Sequence, residues 1–492
     1  MGVIQRQSLY NTIIIYTGIL IGFINMLYIQ PFYLLPEEIG LTRVLYSFSS
    51  LLSVILPLGA ANILIRYFAI NKNENGHNGF IGYVLFYAII CYLIFAIGLF
   101  ASKNYISGQY ANQSKLFADN FWLVFPLSFF LTFLQIINVY SSLLSRSVFP
   151  SVVSEIFVRL LNILVVVLYH FGYLNFNAFI ISFTAIYGLN LLAVSAYVFI
   201  IDRPKLRFSF KTFDKISRKT MFRYAILMTI AAMASLGLKS IDMVVLGVYV
   251  DLDIVGIYSI ALFIGLFIET PLNSLDRIAG ARMAIAIAKN NKKEISDIYH
   301  KSSTNLFLIG GLLFLGVNTC ITPLLSFLPP IYHGKELIVL IVSIGSLVNM
   351  ASGSNTSIIY NSDHYRKGTA LLAGVFVFLI ILLRILVPMY GILGAAVSIA
   401  IGTTVFNLSK MLFIRRYFNM QPFSLNSLKL LLLIFALFIA GQYLPHLSNP
   451  LVDILYSGSI ICGSYLLLAF LLKIIPEELL KPARKYLPFI NW

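Results

Sequence analysis

Several charged side chains lie inside long apolar stretches of this sequence, where charges are rare. Glu155 and Arg159 are four residues apart, and Lys239 and Asp242 are three apart. On a helix the two residues of each pair would lie on one face, where their charges could neutralise each other. Because an ionised group in the middle of a membrane costs roughly 2.5 to 3.5 kcal/mol even on a lenient scale, each of these groups requires a reason.

These and other charges have a structural and a functional interpretation. Structurally, paired groups join helices, Arg384 snorkels to an interface, and Arg66, Asp276 and Arg277 lie at a surface. Functionally, such side chains face a watery cavity, where guanidinium groups make bidentate contacts to a phosphorylated or otherwise anionic substrate. The candidate substrate-binding cations are Arg43, Arg66, Arg159, Lys239, Arg277 and Arg384. The candidate carboxylates for charge pairing, or for coupling to H⁺ or Na⁺, are Glu155, Asp242 and Glu269.

The stretches that position these groups predict an all-α polytopic membrane protein with about fourteen transmembrane helices. Of 492 residues, 59% are hydrophobic and only 11% are charged, too few charges for a water-facing surface. A span needs about 20 residues, and stretches without the alternation of barrel strands must be helical in lipid. The predicted spans are 11–34, 43–68, 80–101, 120–144, 150–172, 177–201, 223–249, 254–276, 303–327, 336–360, 368–388, 391–414, 428–445 and 451–474.

The 35 Lys and Arg residues are distributed unevenly between the two sides that these spans define. With the N-terminus inside, most fall on the inner side, and the outer side receives only Arg43, Lys103, Lys115 and Lys335. This positive-inside asymmetry predicts that both termini are cytoplasmic. It also explains the net charge of +16 without nucleic acid as a partner.

The longest inner connection, Asp202 to Arg223, suggests a division of the chain into two lobes. Its basic residues alternate with apolar ones, which is typical of an amphipathic segment on the inner leaflet, although a plain positive loop is an equal alternative. We expect an N-lobe over 1–206 with six spans, a C-lobe over 207–422 with six more, and two additional helices over 423–492.

A weak repeat supports this division. Pro36-Glu-Glu-Ile-Gly40 after the first span resembles Asp251-Leu-Asp-Ile-Val-Gly256 after the seventh, and each is followed by a proline deep in the next span, Pro57 and Pro271. A repeat of this kind predicts two lobes with a binding site between them. Because a proline removes a helix hydrogen bond, Pro57 and Pro271 are candidates for gating kinks.

Three segments resemble a known family. Leu386-Val-Pro-Met-Tyr-Gly-Ile-Leu-Gly-Ala-Ala-Val397 is similar to the "L-I-P-x-Y-G-x-x-G-A-A" signature of polysaccharide-biosynthesis flippases of the multidrug/oligosaccharidyl-lipid/polysaccharide exporter superfamily. Pro36-Glu-Glu-Ile-Gly-Leu-Thr-Arg43 fits the same family, and so does Ile241-Asp-Met-Val-Val-Leu-Gly247 with Val255-Gly-Ile-Tyr-Ser-Ile-Ala261. The resemblance covers the full length of the chain.

The resemblance implies a lipid-linked oligosaccharide flippase in a bacterial cytoplasmic (inner) membrane. It would move a polyprenyl-diphosphate-linked repeat unit of O-antigen, capsule or exopolysaccharide to the outer leaflet by alternating access. In such proteins spans one, two, seven and eight line the cavity. The related peptidoglycan-precursor flippases carry basic residues in span one, whereas Tyr10 to Leu35 contains no charge here, so the cationic site must be built elsewhere.

Other functions fit less well. An ion-coupled drug exporter of the same superfamily would favour unpaired carboxylates over this surplus of cations. A membrane glycan polymerase or ligase would need a reactive constellation, often on a sizeable outer loop, and the longest such loop, Ser102 to Asp119, has no histidine. Without a Walker-type loop, we expect a transporter rather than an enzyme, with no cofactor or metal. The expected partners are the lipid-linked glycan, membrane lipids and polysaccharide-assembly proteins.

Overall fold

The computed structural model describes residues 3–68, 79–202, 218–362 and 364–476, and these are helical with short connections. The connection between the predicted lobes lies largely outside the described residues. The helices are α1 (Val3–Ile24), α2 (Gln30–Tyr33), α3 (Pro36–Ile55), α4 (Ala60–Tyr67), α5 (Phe80–Ala101), α6 (Lys103–Tyr110), α7 (Lys115–Asp119), α8 (Val124–Leu143), α9 (Val148–Val152), α10 (Val158–His170), α11 (Phe176–Asp202), α12 (Arg218–Tyr249), α13 (Leu252–Leu266), α14 (Thr270–Ala288), α15 (Lys292–Thr319), α16 (Ile321–Ser326), α17 (Glu336–Ala351), α18 (Asn355–Asn361), α19 (Tyr365–Phe418), α20 (Leu425–Gln442) and α21 (Pro450–Leu471).

The predicted class of polytopic helical membrane protein is confirmed. Twelve of the described helices are long and apolar enough to cross a membrane, and a thirteenth is added if the bent pair α17 and α18 forms one span. The 54 residues of α19 include a non-helical glycine, Gly391 (φ 56°), at the turn predicted between spans eleven and twelve. At about 1.5 Å per residue, α19 exceeds what one crossing needs, so it accounts for two predicted spans. The count of fourteen stays a prediction.

The chain forms two compact units. The first comprises Met1–Ile260 and Leu372–Ala395, and the second comprises Ala261–Leu371 and Ala396–Trp492. These limits differ from those of the predicted lobes, because span seven and most of span eleven belong to the first unit and span eight is divided between the units.

In the first unit, the core beneath α4, α5 and α8 also includes Met221 and Ala225 of α12. The second unit buries side chains of α20 and α21 against α15, and the Tyr465 hydroxyl donates to the Leu308 carbonyl at 2.9 Å. The two C-terminal helices therefore share the core of the second unit. Burial of these large side chains stabilises both units through close packing.

The repeat motif coincides with a tight helix crossing inside the first unit. A Cβ added to Gly40 of α3 would collide with the Leu252 carbonyl, and one added to Gly256 of α13 would collide with the Pro36 carbonyl. The two backbones thus approach each other at reciprocal positions, which only glycine allows. Both glycines were part of the motif from which the repeat was inferred.

The two candidate gating prolines lie at interruptions of their spans. The second span breaks between α3 and α4, where Leu58 (φ 43°) and Gly59 (φ 72°) follow Pro57 with left-handed backbone. In the eighth span, a 3₁₀ turn, Phe267–Glu269, separates α13 from α14 just before Pro271. The regular α-helix is therefore interrupted beside both prolines, and the gating role of Pro57 and Pro271 stays a prediction.

Candidate functional site

The first unit contains a chain of polar side chains within its spanning helices. Arg43 of α3 donates through Nη2 to Gln30 Oε1 at 2.6 Å and also contacts the sulfur of Met26. Gln30 Nε2 and Asn25 Nδ2 both donate to Asn162 Oδ1, at 3.3 and 3.0 Å. A cation from span two is thereby tied to amides of spans one and five.

A second cation lies on α10, where Arg159 Nη2 is 2.9 Å from Glu155 Oε2. The predicted pairing of these two residues is therefore formed, and their side chains remain 31% and 32% exposed. Gly18 and Gly22 of α1 provide the space for Arg159, because a Cβ on Gly18 would crowd Arg159 Nη1 and the Glu155 carbonyl. The arginine thus lies across a glycine face of span one.

Two of these spans contain π-helical turns. Asn25 opens the turn Asn25–Ile29 in span one, and Glu155 lies in the turn Val153–Phe157 in span five. Such turns are rare, occur mostly as single turns within α-helices and are frequent at functional sites. Each turn offsets the residues that follow it, including Gln30 in span one and Arg159 in span five, from the residues before it.

Two guanidinium nitrogens, Arg43 Nε and Arg159 Nη1, are buried and have no hydrogen-bond partner among the residues that the structure describes. An unsatisfied buried donor costs about 1 to 3 kcal/mol, and more when it is charged. Each of these nitrogens is therefore a donor that a further acceptor would satisfy.

Two tyrosines border the same space. The rings of Tyr46 and Tyr187 lie 5.5 Å apart, and Tyr46 is 37% exposed although α3 is otherwise well covered. Tyr46 follows Arg43 by about one turn of α3, and α11, which carries Tyr187, packs against α10, which carries Arg159. The tyrosine pair therefore connects the helices of the two arginines.

We name the set Asn25, Gln30, Arg43, Tyr46, Glu155, Arg159, Asn162 and Tyr187 the arginine cluster. Sequence reasoning identified its three charged members. It missed the amides and tyrosines, because uncharged polar side chains are common in membrane spans and do not by themselves indicate a site. Asn25 and Gln30 in the uncharged first span were the available signal.

The predicted ion pair between Lys239 and Asp242 is not formed. Asp242 of α12 is buried and accepts a hydrogen bond from the Tyr258 hydroxyl at 2.9 Å, whereas Lys239 is exposed and lies beyond ion-pair distance. Asp242 faces α13, where a hydroxyl is available, while Lys239 one turn earlier points away. Asp242 Oδ1 has no hydrogen-bond partner among the described residues.

The remaining candidates have other surroundings where the structure describes their side chains. Arg66 at the end of α4 lies over the ring of Tyr224 at 4.3 Å, and Arg384 is exposed on α19. Glu269 is half-buried and belongs to the second unit. The side chain of Arg277 lies outside the described residues. The substrate-binding, pairing and coupling roles of all these residues stay predictions.

The spanning helices and the internal cation site define a polytopic membrane protein that places polar chemistry inside the bilayer. Its sequence matches the profile of the family described as "Polysaccharide biosynthesis protein" over residues 4–275, more than half of the chain, and the protein belongs to that family. No curated protein matches the chain by sequence.

Solved structures share the fold. "Lipid II flippase MurJ, inward closed conformation" superposes with a TM-score of 0.72 at 16% identity, covering 94% of this chain and 99% of that one. An inward-facing multidrug resistance MATE family transporter of the MOP superfamily gives 0.63 at 14% identity, covering 84% and 98%. The eukaryotic MATE transporter AtDTX14 gives 0.54 at 15% identity, covering 84% and 94%. The fold is therefore that of MOP superfamily transporters, as the sequence motifs predicted.

Proposed function

We propose that this protein is a flippase that moves a polyprenyl-diphosphate-linked oligosaccharide from the inner to the outer leaflet by alternating access. The observation that carries the proposal is the arginine cluster, which places two guanidinium groups with unmet donors inside the spans. Membership of a polysaccharide biosynthesis family and the fold of a lipid II flippase support a lipid-linked glycan as the substrate.

In this mechanism the diphosphate head group enters the arginine cluster while the polyprenyl chain stays in the lipid. Arg43 and Arg159 bind phosphate oxygens, and Tyr46 and Tyr187 contact the first sugar. A membrane potential that is negative inside drives anions outward by roughly 2.3 kcal/mol per charge per 100 mV. A diphosphate is thereby driven without ATP, and coupling to H⁺ or Na⁺ is an additional contribution to be measured.

The protein acts, on this proposal, in a bacterial cytoplasmic membrane beside the proteins that build and polymerise the glycan. The membrane-spanning chain performs no bond chemistry. The surplus of cations in the arginine cluster favours an anionic substrate over the cationic drugs that an exporter with unpaired carboxylates would carry.

The test is a gene deletion in the host. We expect the lipid-linked glycan to accumulate on the inner leaflet and the surface polysaccharide to disappear, and both changes to be reversed by the wild-type gene. Normal surface glycan in a deletion strain with no second flippase gene contradicts the proposal.

A second test measures transport by the purified protein. We expect proteoliposomes containing the protein to expose a fluorescent polyprenyl-diphosphate glycan to an external quencher. Export of a cationic dye at the same rate by the same preparation, with no movement of the lipid-linked glycan, would instead identify a drug exporter.

A further inference from the structure

The Glu155–Arg159 pair has features that a purely structural ion pair does not explain. Both residues lie on one helical stretch, so their bond joins no two helices. Each side chain is about one-third exposed, at 32% for Glu155 and 31% for Arg159. The pair is therefore only partly covered by the rest of the first unit.

The pairing also leaves the local charge unbalanced. Arg43 and Arg159 carry two positive charges and Glu155 one negative charge, which leaves one positive charge inside the spans. Among the described residues, Arg43 donates only to a neutral amide and a sulfur, and Arg159 Nη1 has no acceptor. The carboxylate thus occupies one arm of Arg159 and satisfies neither arginine fully.

The geometry of the π turn fits a carboxylate that can be replaced. Glu155 lies in the middle of Val153–Phe157, where the helical repeat is widened, and Arg159 follows one turn later. Return of this segment to regular α-helix would rotate Glu155 by part of a turn relative to Arg159. A competing anion is then able to take its position on the guanidinium.

We propose that Glu155 is the resident counter-ion of a phosphate site formed by Arg43 and Arg159. It holds Arg159 when no substrate is bound, excludes small anions such as chloride, and is replaced by phosphate oxygens of the diphosphate head group. Its return to Arg159 promotes release of the substrate on the far side. This inference rests on the proposed function, and it assigns to Glu155 the selectivity of the same site for a diphosphate over chloride.

The test measures binding of geranyl diphosphate to the purified protein in detergent by isothermal titration calorimetry, in sodium gluconate and in sodium chloride. In gluconate we expect Glu155→Gln to bind about tenfold more tightly than wild type, which corresponds to about 1.4 kcal/mol. In chloride this gain should disappear, because the unpaired Arg159 now binds chloride. Wild-type affinity should differ by less than about twofold between the salts.

Two variants serve as matched controls. Glu294→Gln makes the same charge change at an exposed site in the second unit and should leave binding unchanged. The double variant Glu155→Gln with Arg159→Gln should lose the gain in affinity, because the group that Glu155 occupies is then absent. Melting temperature and size-exclusion profile establish that each variant is folded.

The outcomes separate this inference from the proposed function. Weaker or unchanged binding by folded Glu155→Gln, with binding lost in Arg43→Gln and Arg159→Gln, overturns the counter-ion role and leaves the anion site standing. Wild-type binding by both arginine variants removes the anion site and with it the main support for the flippase.

Discussion

Two networks of polar side chains, one in each compact unit, differ in how fully they are hydrogen-bonded. In the second unit Asn355 Nδ2 donates to Asn407 Oδ1 at 3.3 Å, and Asn407 Nδ2 donates to Asn349 Oδ1 at 3.0 Å. We call these three residues the asparagine chain. None of their side-chain atoms is among the buried atoms without a partner.

A buried lysine accompanies the asparagine chain. Lys410 is 3% exposed, donates to Thr356 Oγ1 at 3.1 Å and lies 4.2 Å from the centre of the Phe406 ring. This network spans the 55° bend between α17 and α18, where Gly353 has a φ of 61°. Helix interruptions in a membrane require such partners for the freed backbone groups.

The arginine cluster differs because one nitrogen of each arginine, Arg43 Nε and Arg159 Nη1, has no partner among the described residues. The bilayer offers no water to replace a missing partner, so such a donor costs more there than at a water-facing surface. The contrast with the asparagine chain supports the proposal that the arginine cluster binds a ligand.

The largest expected effect comes from Arg43→Gln and Arg159→Gln. Each should lower glycan flipping in proteoliposomes about 100-fold, equivalent to about 2.7 kcal/mol, because a charge-assisted phosphate contact is lost. The melting temperature should fall as well, because Gln30 and Glu155 lose their partners, so flipping is expressed per folded molecule. Unfolding of both variants, with flipping preserved in the folded fraction, would reverse the assignment and make the cluster structural.

The next effect is expected from Asn407→Leu in the asparagine chain. It leaves Asn355 and Asn349 without their partners, which should lower the free energy of unfolding by about 1 to 3 kcal/mol. Flipping per folded molecule should stay near the wild-type rate. Exposed Asn112 provides the control, because Asn112→Leu should leave the melting temperature unchanged. A large loss of flipping at normal stability would place Asn407 in the transport path.

A smaller effect should follow Gly18→Ala. The added Cβ would lie against Arg159 Nη1 and the Glu155 carbonyl, so Arg159 must shift, and flipping should fall about threefold to tenfold. Gly98→Ala is the matched control, because nothing lies within 4 Å of a Cβ at Gly98. Equal flipping by both variants would show that the position of Arg159 across span one is unimportant.

The smallest effect is expected from Tyr258→Phe. Removal of the hydroxyl leaves the buried Asp242 carboxyl without its donor and should lower the free energy of unfolding by about 1 kcal/mol. Denaturation measured by intrinsic fluorescence in detergent checks this value. A flipping defect larger than the stability loss would add Asp242 to the functional site and support its predicted role in ion coupling.

The helical class and the twelve long apolar helices follow from the sequence, because a membrane forces a long apolar stretch into a helix. The Glu155–Arg159 pair is predictable for the same local reason, since i and i+4 on one helix are neighbours. The interruptions beside Pro57 and Pro271 also follow from residue type, and so does the non-helical Gly391 where predicted spans eleven and twelve meet.

The partners of Arg43 were beyond such reasoning. Arg43 is linked through Gln30 to Asn162 of span five, which lies more than a hundred residues further along the chain. Which helices face each other depends on the packing of the whole unit. The same holds for Asp242, whose partner is Tyr258 on the next helix rather than Lys239 on its own.

The sequence by itself determined which segments cross the membrane and which charges they carry, because hydropathy and helical spacing act over a few residues. Only the tertiary structure decided which charges meet, which stay apart and which donors remain unmet. Those outcomes depend on how helices that are distant in the chain are rotated about their axes. A π turn changes this rotation, because it adds one residue to the helical repeat. The arginine cluster is the product of that rotation.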